Sequence, residues 1–130
     1  MSAGAATLAT TMEHVAVTVP AGEAFRGVIR LVVGGIGSRC GLSFDHVDEL
    51  QLAVDALLDH REAADEMVEL DAAVGDDELV LVIGPFLRVD DTAGQRVTTA
   101  LVDRARVIDR DGHEWVELAL LMPTPTEVGA

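Results

Sequence analysis

Apolar and polar residues alternate over residues 14–19, with Val15, Val17 and Val19 on one side and His14, Ala16 and Thr18 on the other. A period of two predicts a strand, and Pro20, with no amide hydrogen for a ladder, marks its end. The period then lengthens. After an Ala21-Gly22-Glu23 entry, Phe25, Val28, Ile29, Val32 and Ile36 keep the spacing of one helical face. Gly34, Gly35 and Gly37 each weaken the last turns by about 1 kcal/mol relative to Ala. Gly41-Leu42 supplies a turn, Ser43 the N-cap of a second helix, and Asp45 a first-turn charge that suits the helix dipole. That helix is predicted over residues 44–63, with Val47, Leu50, Val54, Leu57 and Leu58 buried and Asp48, Glu49, Asp55, Asp59 and Arg61 outward or sideways.

The period returns to two at Val68, Leu70, Ala72 and Val74, interleaved with Glu69 and Asp71. Gly75-Asp76-Asp77 turns the chain into an apolar return strand over residues 78–83, ended by Gly84 and Pro85, so the pair forms a hairpin. A loop with Asp90 and Asp91 leads to a third helix over residues 92–103, burying Val97, Ala100 and Leu101, with Val102 as a further candidate. A second hairpin pairs residues 104–108 with 114–121 through Asp109-Arg110-Asp111-Gly112. The order β-α-α-β-β-α-β-β predicts an α+β fold: a two-layer sandwich whose mixed, mostly antiparallel sheet carries its helices on one face. One domain over residues 13–122 is expected, between an Ala/Thr/Gly-rich tail at 1–12 and a Pro/Thr tail at 123–130.

Composition sharpens this by exclusion. The chain is 49% apolar and 25% charged, which is globular, and no apolar run approaches the roughly 18 residues of a membrane span. A net charge of −14 repels a nucleic-acid backbone. All nine basic residues are Arg, and Lys, Asn and Tyr are absent, which removes any lysine nucleophile, phosphate-binding lysine or asparagine metal ligand. The single Cys40 forms no internal disulfide, and the N-terminus lacks a basic segment of the secretory kind, so a cytoplasmic location is expected. Arg39 beside Cys40 offers a way to activate the thiolate; the plain reading is a small apolar residue near a helix end.

No motif carries chemistry alone. His14, His46, His60 and His113 are scattered, with no i,i+3 or i,i+4 pair, and there is no CxxC, G-x-S-x-G or G-K-[ST]. His60 at the end of the second helix suits the dipole as an imidazolium. Asp55 and Asp59 share a helix face; their carboxylates would suit Mg²⁺, and equally form a solvated acidic surface. Trp115 reads as core or edge packing.

Val19-Pro20-Ala21, the helix through Ile29-Arg30, Gly41-Leu42 and Glu49-Leu50-Gln51-Leu52-Ala53-Val54-Asp55 together resemble the front half of an anti-sigma factor serine kinase, of the GHKL ATPase superfamily (gyrase, Hsp90, histidine kinase). The remainder follows in order, through Val97-Thr98-Thr99-Ala100-Leu101-Val102-Asp103 and Arg110-Asp111-Gly112 to the last strand. The resemblance spans residues 13–122 and implies the Bergerat-like form of the sandwich. It implies an ATP and Mg²⁺ site on the second helix, where the family reads roughly L-A-V-x-E-A-x-x-N, the Glu acting as base and the Asn as metal ligand. Here the run is Leu52-Ala53-Val54-Asp55-Ala56-Leu57-Leu58-Asp59-His60, so Ala56 stands at the base and His60 at the ligand. A one-residue shift would offer Asp55 and Asp59, but turns them about 100 degrees around the helix, away from the pocket. The family's D-x-G-x-G becomes Val82-Ile83-Gly84-Pro85-Phe86, and its glycine-rich lid becomes Thr92-Ala93-Gly94-Gln95-Arg96.

The resemblance therefore implies a pseudokinase with no cofactor and a vestigial pocket of Asp55, Ala56, Asp59, His60, Gly84 and Gly94. Its function would be to hold a sigma factor or an anti-anti-sigma (STAS-type) protein through the first helix, with Glu23, Arg26 and Arg30 as contact residues and no ATP hydrolysis. Arg30 matches a position where the family commonly has Arg, and equally reads as a side chain snorkelling over a helix–sheet seam. Relatives often dimerise, which leaves a homodimer open. Two alternatives stand: an active serine kinase using ATP and Mg²⁺ through divergent motifs, or an unrelated small αβ binding or scaffold protein.

Overall fold

The structure, a computed structural model, describes residues 13–88 and 102–122. The first alternating segment is strand β1 (Glu13–Pro20), and a single 3-10 turn (Glu23–Phe25) leads into helix α1 (Arg26–Arg39). Helix α2 (Phe44–His60), strands β2 (Met67–Val74) and β3 (Glu78–Phe86), and the hairpin of β4 (Arg104–Arg110) with β5 (His113–Leu121) follow. The sheet order is β1-β2-β3-β5-β4, and every described pairing is antiparallel. The expected mixture of directions is thus absent among the described strands. The expected third helix lies outside the described residues except for its end, where Val102 and Asp103 form a bend. Asp103 instead extends the ladder, its N–H donating to the Ala119 carbonyl while its carboxylate accepts from the Leu121 N–H at 2.6 Å.

The core lies between one sheet face and the two described helices. Val19, Val68, Leu70, Ala72, Leu79, Leu81, Ile83, Val116, Leu118 and Leu120 meet Ile29, Val33, Ile36, Val47, Leu50, Ala53, Val54 and Leu57. The α2 stripe follows the 3.6 period with Ala53 added and Leu58 only half-buried, but α1 is rotated from its expected setting. Val33 is fully buried, whereas Phe25 and Val28 are exposed. Two glycines accommodate this setting: a side chain at Gly34 would stand 2.5 Å from Gln51 Nε2, and one at Gly37 would stand 3.2 Å from Val47 and 3.4 Å from Leu42, so α2 lies close against the face that turns Ile29, Val33 and Ile36 inward. Among the described residues no helix is long and apolar enough to cross a membrane.

Local chemistry fixes the ends. The Ser43 hydroxyl accepts the His46 N–H at 3.1 Å, as an N-cap does. Ser43→Ala is expected to cost about 1 kcal/mol, read from the urea midpoint, with a loss below a few tenths counting against the cap. Asp111 and Gly112 both have positive φ, 54 and 81 degrees, the backbone of a two-residue hairpin turn whose twist matches its strands. α2 stops at His60, short of the expected 63, because Arg61 is extended and the following residues pair with β3. Ala63 bridges Phe86, Ala64 N–H donates to the Pro85 carbonyl, and Leu87 N–H donates to that of Glu62. The same pairing carries β3 through Gly84 and Pro85, where a break was expected, with a register shift between Ile83 and Phe86.

Candidate functional site

The α1–α2 seam carries a ladder of charge. Arg26 and Arg30 are four apart on α1, and Asp59 and Asp55 four apart on the antiparallel α2, so each rung meets its partner. The Arg26 guanidinium donates to the Asp59 carboxylate and, at 3.0 Å, to the Leu58 carbonyl. Arg30 lies 3.3 Å from Asp55, and Gln51 Nε2 donates to the Arg30 carbonyl at 3.0 Å. These groups are substantially exposed, so each pair contributes at most about 1 kcal/mol. Their positional effect is larger, since both aspartates already face a guanidinium. No group of three or more His, Cys, Asp or Glu side chains suited to a metal exists among the described residues. Glu23 lies in the 3-10 turn, exposed and without an ion pair among the described residues.

Ala56 and His60 are one turn apart on α2, and the His60 Nδ1–H donates to the Ala56 carbonyl at 2.8 Å. That bond fixes the proton on Nδ1 and leaves Nε2 as the outward nitrogen, so the ring closes the helix end. Gly84 projects to the opposite side of the sheet from α2. A side chain there would meet Trp115, which packs on the bare glycine and takes the Arg110 guanidinium over its ring at 4.6 Å. Trp115 is therefore buried on the outer face, apart from the main core. Gly94 lies outside the described residues. Asp55, Ala56, Asp59 and His60 are thus on one helix, with Gly84 across the sheet from them. For Cys40, burial first and the Glu13 carboxylate second push the thiol up, outweighing Arg39, which lies 3.8 Å from that carboxylate. The thiol is the less reactive for it.

Beyond the C-terminal end of α2 opens a cleft of about 660 Å³. Pro20-Ala21-Gly22, Arg26 and Ile29 form one wall, Leu58 to Ala63 another, and Val68 and Phe86 the floor. Arg61 crosses its edge to bond Glu114 at 2.6 Å, with side chains only 9% and 14% exposed. Arg88 reaches the other Glu114 oxygen at 3.6 Å and Asp109 at 2.7 Å. This inner ion pair is absent from the sequence reading, yet one signal existed. Glu114 has the parity of Val116, Leu118 and Leu120, so a carboxylate on the inward face needs a partner.

Fold and site together define an α+β two-layer module with a salt-bridged helix pair and a mixed apolar and charged cleft. No family model matches the chain. It is similar over a short stretch to the serine-protein kinase RsbW of Halalkalibacterium halodurans, 43% identical over 42 residues, or 32% of this chain and 26% of that protein. It is similar to the serine-protein kinase RsbW of Bacillus velezensis at 30% over 47 residues, 36% of this chain and 29% of the relative. The matched stretches thus span less than a third of either relative.

Proposed function

We propose that the protein is an anti-sigma-type regulatory module of GHKL-like form that holds a sigma factor or an anti-anti-sigma protein and does not hydrolyse ATP. The local similarity to serine-protein kinases supports the class. The loss of catalysis rests on one observation: the family's base position is Ala56, whose carbonyl is tied to the ring of His60 at the metal-ligand position. The α1 surface supports partner binding. Leu31 is 75% exposed and Val28 is exposed beside it, next to Arg30, an apolar display that the core does not use.

Calorimetry with ATP and Mg²⁺ is expected to give no binding heat at micromolar concentration; micromolar binding lost on altering α2 overturns the non-catalytic reading. Leu31→Asp is expected to weaken capture of the cognate sigma factor or anti-anti-sigma protein at least about tenfold, since burying that side chain is worth about 1.5–3 kcal/mol. Its melting temperature should not move, because the side chain faces solvent. Titration against the purified sigma factors and anti-anti-sigma proteins of the same organism reads the effect, and capture of none overturns the partner assignment.

A further inference from the structure

The cleft beyond α2 contains two guanidiniums, which at first suggests an anion site. Charge accounting points the other way. Arg26 is held by Asp59 and Arg61 by Glu114, so neither leaves positive charge for a phosphate or a carboxylate. Glu62 and Asp65 on the rim are exposed and make no ion pair with any described residue. Asp65 accepts the Glu66 N–H on one oxygen at 2.8 Å, and among the described residues its other oxygen has no hydrogen-bond partner. The surplus is therefore two carboxylates, in a chain whose net charge is −14. Beside them the walls carry accessible apolar surface from Pro20, Ala21, Leu58 and Ala63, over a floor of buried Val68 and Phe86. A volume of about 660 Å³ accommodates several side-chain groups.

We propose that this cleft docks a basic segment of a protein partner, whose apolar side chain packs on Pro20, Ala21, Leu58 and Ala63 while an adjacent Arg or Lys reaches Glu62 and Asp65. A cation on the guest completes the rim, and an apolar neighbour displaces water from Pro20, Ala21, Leu58 and Ala63, the apolar side chains of the cleft that solvent still reaches. The surface is separate from the outward Val28 and Leu31 of α1, so a partner seated there can also engage the cleft. The inference rests on the partner-binding reading only in assigning the guest to a protein.

The test needs no sigma factor, so its outcome is independent of that assignment. Isotope-labelled protein is titrated with a blocked hexapeptide of alternating Leu and Arg, and with its Leu/Glu counterpart, and amide shifts are followed. Shifts are expected around residues 21–22, 58–66 and 86 with the basic peptide and not with the acidic one. Glu62→Gln with Asp65→Asn should weaken binding about five- to tenfold, as for two exposed ion pairs, and each single variant by less. Both are near-isosteric exposed changes, and the amide spectrum of each variant verifies its fold. Asp48→Asn with Glu49→Gln, on the exposed side of α2, should leave affinity unchanged. Equal weakening by that control, shifts spread over the acidic surface, equal binding of the acidic peptide, or no binding each overturn the proposal.

Discussion

Arg61→Ala is expected to lower the stability of the fold by about 3 kcal/mol, because it strands a carboxylate that water barely reaches. Glu114 is 14% exposed and its close partner at 2.6 Å is Arg61; Arg88 remains, but at 3.6 Å and from a side chain that is 63% exposed. The substitution also removes the aliphatic stem that joins the end of α2 to the start of β5. Arg61→Met with Glu114→Leu should recover most of the loss, since an apolar pair of similar volume carries no stranded charge. Arg104→Ala provides the contrast. Its bond to Glu78 is 3.0 Å, and the two side chains are 51% and 31% exposed, so the loss should stay below about 1 kcal/mol. Urea denaturation with matched slopes measures all three, and an Arg61→Ala loss no larger than that of Arg104→Ala would mean that solvent already screens the inner pair.

Gly84→Ala is expected to cost about 2 kcal/mol, against the usual direction of such a change. Replacing Gly by Ala where the backbone permits it commonly stabilises by about 0.4–1 kcal/mol through the unfolded chain. Gly84 has no positive φ, so its backbone accepts a side chain. What refuses it is space: the new carbon would stand 2.5 Å from Trp115 Cδ2 and 2.8 Å from Cγ and Cε3. The indole must lift, exposing its face and drawing away from Arg110. As the chain has one tryptophan, its fluorescence reports this directly, and a red shift should accompany the loss. Trp115→Leu should cost less in the alanine background than in the native one, the coupling of two groups in contact. Neutral or improved stability with unshifted emission would show that the ring does not need the glycine.

What could be read from the chain was what is local or periodic. The strands came from alternation, α2 from its stripe and from Ser43, and the second hairpin from Asp111-Gly112, because these signals lie within a few residues of the structure they set. The setting of α1 differs from its expected one, since Val28 and Val33 are both apolar and the packing of α2 against Gly34 and Gly37 is not visible within the helix itself. The break assigned to Gly84-Pro85 failed for a similar reason: the segment after α2, far off in sequence, supplies partners that carry β3 past the proline. The cleft joins residues of β1, both helices, β2 and β3, so no window of sequence contains it. Asp55 and Asp59 were visible as a pair, but the arginines that claim them sit one helix earlier, and only the antiparallel seam aligns the two rows.

The sheet order also sets an order of assembly. β2 with β3, and β4 with β5, close through short turns, and each can zip soon after collapse. β1 is different. Its neighbour is β2, and both helices lie between them in the chain, so the edge strand joins only after the largest of these loops has closed. The core offers it little reward before α1 and α2 have docked, because Val19 packs in the same cluster as their inward residues. The wall of the cleft formed by Pro20-Ala21-Gly22 is thus expected to be set after the β2–β3 hairpin, because the strand that carries it pairs only across the long connection through both helices.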